Sequence, residues 1–249
     1  MMNIFLLRGL IREAEHWKGL PEVLKLLFPQ DKIFFLETPG TGKFYLNDSP
    51  LTVSKMVDSI RQQFLAVPNE PSMLISISLG GMIAGEWVHR YPDDFKRAVI
   101  INASFKNVSP LWHRMKPNAI LVTLKGLINQ SLVSREKSIV DLVCNNQGNK
   151  SEVLEQWIKI ATQRPVSRAN AIRQLVAAGT FSVNKKKPVS KVLVLASKGD
   201  RMVDYRCSEK IAKHWGAPLE LHEWGGHSLA EDDPQWVAST IKKWAGQSE

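Results

Sequence analysis

Cysteine is scarce in this chain of 249 residues, which contains only Cys144 and Cys207. The two form neither a CxxC pair nor the dense array of a disulfide-stabilised fold. We therefore expect no disulfide and a reducing cytoplasm as the compartment. Metal-ligand spacing is also lacking around most histidines, so we expect no metal and no cofactor. The histidines concerned are His16, His89, His113, His214 and His222.

Long apolar runs are missing as well. No segment approaches the roughly 20 apolar residues that a membrane-spanning helix needs. The opening segment, MMNIFLLRGL, has no basic leader and no small-residue cleavage site, so it predicts a strand rather than a signal peptide. We expect no stable insertion into a membrane.

Clusters of charged residues are also scarce. The formal net charge is +9, but the basic residues are scattered and the densest run is Lys185-Lys186-Lys187. No nucleic-acid-binding motif with stacking aromatic residues accompanies them. We interpret the charge as a solvated surface and expect a small-molecule partner rather than a nucleic acid. The oligomeric state is left open.

Short apolar runs alternate with helical patterns over most of the chain. Runs rich in branched residues predict strands that are buried on both faces. Their alternation with helices predicts an α/β fold, a mostly parallel sheet of about six strands with helices on both faces. The predicted strands are Asn3–Leu7, Lys32–Leu36, Met73–Ile77, Lys96–Asn102, Lys191–Ala196 and Leu219–Glu223.

The alternation stops between Phe105 and Lys187, where only helical patterns occur. An insertion of about eighty residues is too long for one crossover between parallel strands. We expect a helical lid at residues 105–187 over the carboxyl edge of a core formed by residues 1–104 and 188–249. Its apolar stripes should pack the lid together or face the cleft below. The stripes are Leu121, Leu124 and Ile128; Val153, Trp157 and Ile160; and Ile172 and Leu175.

Ser78 lies where a predicted strand turns directly into a helix. The segment Ser76-Ile77-Ser78-Leu79-Gly80-Gly81 resembles a G-x-S-x-G nucleophile elbow in which Ser76 replaces the first glycine. Small residues are needed there because the sharp reversal brings backbone segments close together. The amino end of the following helix would stabilise negative charge that develops beside the serine. An ordinary glycine-containing turn is the alternative.

Asp200 and His227 also come just after predicted strands, within Gly199-Asp200-Arg201-Met202-Val203 and Gly225-Gly226-His227. A histidine can take the proton of a serine near neutral pH, and a carboxylate can orient that histidine. The alternative is that both are turn residues, since Gly-Asp and Gly-Gly are common in turns. Asp204 is a competing acid.

These segments, with Arg8-Gly9-Leu10 and Pro39-Gly40-Thr41-Gly42, resemble the α/β-hydrolase superfamily over essentially the whole chain. The resemblance implies a catalytic triad of Ser78, Asp200 and His227, in the chain order of that superfamily. The D-x-x-V pattern of the superfamily selects Asp200 over Asp204. Because relatives usually have one or two strands before the first strand predicted here, the sheet is expected to be trimmed, with an exposed edge.

The resemblance also implies an oxyanion hole formed by the backbone N–H groups of Leu10 and Leu79. Arg8 departs from the histidine that relatives commonly carry before the glycine. It could place a fixed positive charge near the site and favour acidic substrates. Alternatively, Arg8 pairs with a nearby carboxylate such as Glu13 or Glu37.

The function implied is that of a carboxylesterase-like serine hydrolase. It would cleave a small carboxylic ester or thioester through an acyl-enzyme. The same triad could instead serve a carbon–carbon bond hydrolase or an acyltransferase. A binding protein that kept the fold without turnover is a further alternative.

Overall fold

The computed structural model describes residues 1–128, 131–184 and 186–246. Its strands are β1 (Asn3–Leu7), β2 (Lys32–Leu36), β3 (Ser72–Ile77), β4 (Arg97–Ile101), β5 (Lys191–Ser197) and β6 (Leu219–His222). They form one sheet in the order β2-β1-β3-β4-β5-β6, and every neighbouring pair is parallel. The predicted α/β architecture of about six parallel strands is confirmed, and each strand boundary agrees within one residue.

Helices surround this sheet on both faces. They are α1 (Leu20–Leu27), α2 (Val53–Leu65), α3 (Leu79–Arg90), α4 (Leu111–Arg114), α5 (Pro117–Leu127), α6 (Leu132–Val143), α7 (Lys150–Gln163), α8 (Arg168–Thr180), α9 (Arg206–Trp215), α10 (Leu229–Asp232) and α11 (Pro234–Gly246). Helices α2, α3 and α9 pack on one face of the sheet, and α1 and α11 pack on the other. Alternate residues of each central strand enter the two cores, as Leu74 and Ile75 of β3 do.

Pro21 begins a helix rather than kinking one. We predicted an amphipathic helix whose apolar side included Trp17 and which Pro21 split or bent. In the structure α1 starts at Leu20, so Pro21 occupies the first turn, where its missing N–H group costs nothing. Trp17 lies before α1 and is buried against it.

The chain between β4 and β5 is helical wherever it is described. Helices α4 to α8 lie there, and residues of α5, α6 and α7 form a small core of their own that includes Val140, Val153 and Trp157. We call residues 105–187 the helical insertion. Its division from a core of residues 1–104 and 188–249 stays a prediction. Within these bounds residues 129, 130, 185 and 247–249 lie outside the described residues, and so does Lys185 of the basic run.

Parallel strands bring the loops that follow them to one edge of the sheet. Ile77 of β3 pairs with Ile101 of β4, which pairs in turn with Leu195 of β5. The loops that follow these strands and β6 therefore start at the same carboxyl edge. No helix in the described part of the chain is long and apolar enough to cross a membrane.

Candidate active site

Ser78 lies in a strained turn between β3 and α3. Its φ of 58° and ψ of −120° lie in a region that residues other than glycine rarely adopt. The preceding Ser76 is fully buried, and its hydroxyl donates to the carbonyl of Val99 at 2.8 Å. Ser76 therefore fills the place of a glycine without leaving a buried hydroxyl unpaired.

Glycines permit the close approach of neighbouring segments around Ser78. A Cβ atom on Gly9 would lie 2.8 Å from the Cβ of Ser78, and one on Gly80 would lie 2.6 Å from the backbone oxygens of Leu7 and Arg8. Such distances are too short for any side chain. The turn after β1 and the start of α3 can therefore approach each other only with glycine at both positions. The expected need for small residues is met on both sides of Ser78.

The structure brings Ser78, His227 and Asp200 together. Nδ1 of His227 lies 2.7 Å from Oδ2 of Asp200, and Nε2 lies 2.9 Å from Oγ of Ser78. A carboxylate can only accept, so Nδ1–H donates to Asp200, and Nε2 is then the acceptor for the serine hydroxyl. His227 and Asp200 are 5% and 2% exposed. The arrangement can pass the serine proton to a histidine that is held in one tautomer.

Backbone donors hold the other oxygen of Asp200. Its Oδ1 accepts the N–H groups of Met202 at 2.7 Å and Val203 at 2.9 Å. Asp204 is held differently, because its carboxylate is paired with the guanidinium of Arg206 at 2.7 Å. That pairing lowers the pKa of Asp204 to about 2. The structure thus brings Asp200, and not Asp204, to the histidine.

Asn102 is a supporting residue that our sequence reasoning missed. It follows β4, is 2% exposed, and donates from Nδ2 to the carbonyl of His227 at 2.9 Å. Its Oδ1 accepts the N–H of Ser197 at the end of β5. Asn102 has a left-handed φ of 47°, a conformation that asparagine tolerates better than most residues. A sequence does not display this backbone angle.

The helical insertion also holds the loops of Asp200 and His227. Asn145 donates from Nδ2 to the carbonyls of Gly199 at 3.0 Å and Trp224 at 2.8 Å. Asp232 accepts the N–H of Gly226 at 2.6 Å and that of Asn145 at 2.9 Å. Side chains of the insertion and of α10 therefore fix the separation of the two loops.

The loop after β1 carries the predicted oxyanion donor Leu10. The next residue, Ile11, has a left-handed φ of 53°, and its N–H donates to Oε1 of Gln174 at 2.8 Å. Gln174 is fully buried on α8 and donates from Nε2 to the hydroxyl of Ser49. Leu79 is the first residue of α3, where N–H groups have no partner within the helix.

Arg8 is paired with a partner that we did not predict. Its Nη1 lies 2.8 Å from Oε1 of Glu231 on α10, and both side chains are buried. The expected partners are engaged elsewhere: Glu13 accepts Arg164, and Glu37 accepts the N–H of Lys43. Arg8 therefore pairs with a carboxylate, as the alternative stated, but the partner is neither Glu13 nor Glu37. Glu231 lies 223 residues away along the chain, so local sequence carried no sign of it.

A cavity of about 140 Å³ adjoins Ser78 and His227. Its walls come from the loop after β1 and from helices α5 to α8. Of the apolar stripes named above, Trp157, Ile160 and Leu175 line this cavity. Val153 is buried in the core of the insertion, whereas Leu121, Leu124, Ile128 and Ile172 are exposed. Periodicity identified the apolar sides of the helices, but not which of them faced the cavity.

Four charged groups of the cavity wall form two pairs. Arg12 contacts Glu136 at 2.9 Å, and Arg164 donates to Glu13 at 2.9 Å. Burial lowers the pKa of Arg12 and holds the pKa of His16 well below its ordinary value. The wall also contains Arg8, Arg135 and Arg168, so its arginines outnumber its two carboxylates, which are both paired.

Cys144 and Cys207 are free and buried, and burial raises the pKa of both thiols. They are therefore poor nucleophiles at neutral pH. Among the residues that the structure describes, no group of three or more His, Cys, Asp or Glu side chains could hold a metal ion.

Solved structures with the same fold cover nearly the whole chain. BpoC from Mycobacterium tuberculosis H37Rv matches with a TM-score of 0.79 at 14% identity, covering 100% of this chain and 93% of that one. A thermophilic esterase from Thermogutta terrifontis matches with a TM-score of 0.73 at 15% identity, covering 99% of this chain and 90% of that one. The type II thioesterase BorB from the borrelidin biosynthetic cluster matches with a TM-score of 0.67 at 15% identity, covering 97% of this chain and 91% of that one. At such identities the likeness concerns the fold.

No curated protein matches the chain in sequence. A family model does match it, over residues 46–233, and its description is serine aminopeptidase, S33. The matched range is more than half of the chain. This protein therefore belongs to the serine aminopeptidase S33 family and to the α/β-hydrolase superfamily.

Proposed function

We propose that this protein is a serine hydrolase that cleaves a small carboxylic ester or thioester through an acyl-enzyme, with Ser78, His227 and Asp200 as its catalytic triad. The observation that carries the proposal is the chain of contacts from Ser78 Oγ to His227 Nε2 at 2.9 Å and from Nδ1 to Asp200 at 2.7 Å. Its position at the wall of an apolar cavity supports a substrate with an apolar acyl group.

The proposed reaction has two halves. Oγ of Ser78 forms a bond to the carbonyl carbon of the substrate while its proton passes to Nε2 of His227. The tetrahedral intermediate then collapses, and the leaving alcohol or thiol takes that proton as its bond to carbon breaks. Water repeats the sequence on the acyl-enzyme, giving the free acid and restoring Ser78.

The negative oxygen of each tetrahedral intermediate would be bound by the N–H groups of Leu10 and Leu79. Such donors contribute on the order of 3 kcal/mol each. Two features support this assignment: Leu79 opens α3, and the neighbouring N–H of Ile11 is already engaged by Gln174. Pairing with Glu231 favours a role for Arg8 in holding this loop to α10 over one in binding acidic substrates.

Esters fit the cavity better than peptides with a free amino terminus. Binding an ammonium group in an apolar cavity requires a carboxylate that is not already paired. The carboxylates of the cavity wall, Glu13 and Glu136, accept arginine side chains. We therefore favour ester or thioester cleavage over aminopeptidase activity, although the family description names the latter.

Two further parts of the proposal concern the insertion and the setting of the enzyme. The helical insertion would act as a lid that selects substrates, which is supported by its residues in the cavity wall. Two free, buried cysteines are compatible with the reducing cytoplasm as the compartment. Small molecules would be its substrates, without nucleic acid.

The test combines a covalent probe with two substrate classes. A fluorophosphonate should label the wild-type protein, and neither Ser78→Ala nor His227→Ala should be labelled at a comparable rate. Hydrolysis of p-nitrophenyl acetate should fall by up to about 10⁶ in each variant, and the double variant should be scarcely worse, because the pair acts as a unit. Alanine p-nitroanilide should be a poor substrate.

Other outcomes would contradict the proposal in distinct ways. No labelling of the folded wild-type protein would favour a binding protein, and labelling without ester turnover would favour a carbon–carbon bond hydrolase or an acyltransferase. Rapid cleavage of the anilide would indicate that the protein is an aminopeptidase. Small, additive losses in the two variants would mean that another residue attacks.

A further inference from the structure

Helix α5 of the insertion has apolar side chains on two opposite sides. Val122 and Leu127 line the cavity of Ser78. On the other side Leu121 and Leu124 are 52% and 53% exposed. The one buried residue of this helix is Ala119. The outer side of α5 therefore carries large aliphatic groups that the described part of the chain leaves about half exposed.

The exposed apolar surface extends beyond α5. Val133 at the start of α6, which packs against α5, is 53% exposed. Single exposed apolar residues are ordinary on soluble proteins, whereas a group on neighbouring elements marks an interaction surface. We call this group the outer apolar face; it comprises Ile120, Leu121, Leu124, Ile128 and Val133.

The segment that carries this face has basic residues and no acidic ones. No aspartate or glutamate occurs between Asp94 and Glu136. Lys106 and Lys125 are exposed in the same interval, and Lys125 lies on α5 itself. An anionic surface would complement this combination of apolar and positive groups.

We propose that the outer apolar face docks this protein on an anionic lipid surface. Aliphatic residues on one side of a helix, with lysine beside them, are the features by which helices lie in a membrane interface. A second copy of this chain is the less favoured occupant, because self-association would bring two basic segments together. The docking is peripheral and needs no spanning helix.

Docking would place the cavity of Ser78 close to the lipid surface. Helix α5 would lie between them, since its inner side lines the cavity and its outer side would contact the lipid. The binding claim does not rest on the proposed hydrolase function, because lipid binding is measured without turnover.

The experiment is co-sedimentation of the full chain with vesicles. One set contains phosphatidylcholine and phosphatidylglycerol in equal amounts, and the other contains phosphatidylcholine alone. Wild-type protein should bind the anionic vesicles more tightly. Leu121→Gln and Leu124→Gln should each weaken that binding about tenfold, since each removes an apolar side chain from the contact. Lys125→Gln should weaken it about fivefold, and added salt should reduce that difference.

Leu65→Gln is the matched control. Leu65 lies on α2, outside the insertion, and is 52% exposed, like Leu121. This variant should bind like the wild type, and all variants should keep the wild-type melting temperature. Equal loss in Leu65→Gln, no preference for anionic vesicles, or no binding by the wild type would each overturn the proposal. Dimerisation of the wild type that Leu121→Gln abolishes, without vesicle binding, would assign the face to a second copy.

Discussion

Two aspartates in the loop after β5 differ in what holds them. Asp200 is buried and contacts His227, while two backbone N–H groups bind its second oxygen. Asp204 is paired with Arg206, which keeps its pKa at about 2. Geometry therefore distinguishes the roles of the two carboxylates.

The first prediction compares these two acids. Asp200→Asn should lower kcat for ester hydrolysis by up to about 10⁴, because an amide at this position no longer fixes the tautomer of His227. Asp204→Asn should change kcat by severalfold at most, since its partner is Arg206. Steady-state kinetics and circular dichroism of both variants provide the measurement. A reversed order, with Asp204→Asn inactive and folded, would transfer the acid role to Asp204.

Gln174 connects the insertion to the loop that carries Leu10. Its Oε1 accepts the N–H of Ile11, whose left-handed backbone needs a restraint, and its Nε2 donates to Ser49. Asn170, one turn earlier on α8, is also buried, and its side chain hydrogen-bonds to the backbone of Ser49 and Asn47. The two side chains thus differ in whether they contact the loop after β1.

The second prediction uses this difference. Gln174→Leu should lower kcat by about tenfold to a hundredfold with little change in KM, because a small displacement of Leu10 weakens an interaction made in the transition state. Gln174→Glu keeps the acceptor for Ile11 and should retain more activity. The control Asn170→Leu should lose stability while keeping kcat. Equal losses of kcat in Gln174→Leu and Asn170→Leu would reduce Gln174 to a purely structural role.

At the scale of elements, the helices of the insertion have sides with different surroundings. On α8, Leu175 lines the cavity, whereas Ile172 is 49% exposed. Both belong to one apolar stripe in the sequence, and the packing of α8 against the loops of the sheet separates them. A substrate chain in the cavity would contact the first and not the second.

The third prediction follows from that separation. Leu175→Asn should raise KM for octanoate esters more than for acetate, with kcat for acetate nearly kept, because each methylene that loses apolar contact costs up to about 0.8 kcal/mol. Ile172→Asn should leave the dependence on acyl length unchanged. The measurement is kcat/KM for acetate through octanoate esters. A penalty in Leu175→Asn that is independent of acyl length would mean that the acyl chain lies elsewhere.

At the scale of the whole molecule, burial of a neutral histidine links stability to pH. His16 lies in the segment between β1 and α1 and faces the insertion, with its ring 5.3 Å from that of Trp157. Its Nδ1 accepts the N–H of Glu13, and burial holds its pKa well below the ordinary 6.5. Below pH 6.5 the unfolded chain therefore takes up a proton that the folded chain does not.

The fourth prediction is the resulting loss of stability in acid. The free energy of unfolding should fall as the pH drops below 6.5, with a contribution from His16 of at most about 1.4 kcal/mol per pH unit. In His16→Gln this slope should be shallower by that contribution. Urea unfolding at a series of pH values measures it, and His214→Gln, at an exposed histidine, should keep the wild-type slope. A wild-type slope in His16→Gln would show that other groups cause the acid sensitivity.

Local pattern was sufficient for the six parallel strands and for the placing of Ser78, Asp200 and His227 at strand ends. Apolar runs and turn residues are local features of the sequence. Parallel strands in one sheet necessarily share a carboxyl edge, so the ends of such runs are expected to meet. The α/β-hydrolase resemblance followed from those segments and is confirmed. The roles of the three residues stay a prediction, and so do the bounds of the lid.

Contacts between distant segments were decided by folding. Glu231 reaches Arg8, Gln174 reaches Ile11, and Asn102 reaches the carbonyl of His227 across 223, 163 and 125 residues of chain. Likewise, the stripe of Leu121, Leu124 and Ile128 revealed an apolar side of α5, whereas packing turned that side to the surface. Periodicity records which residues share a side of a helix, but the partner of that side depends on how every other element packs.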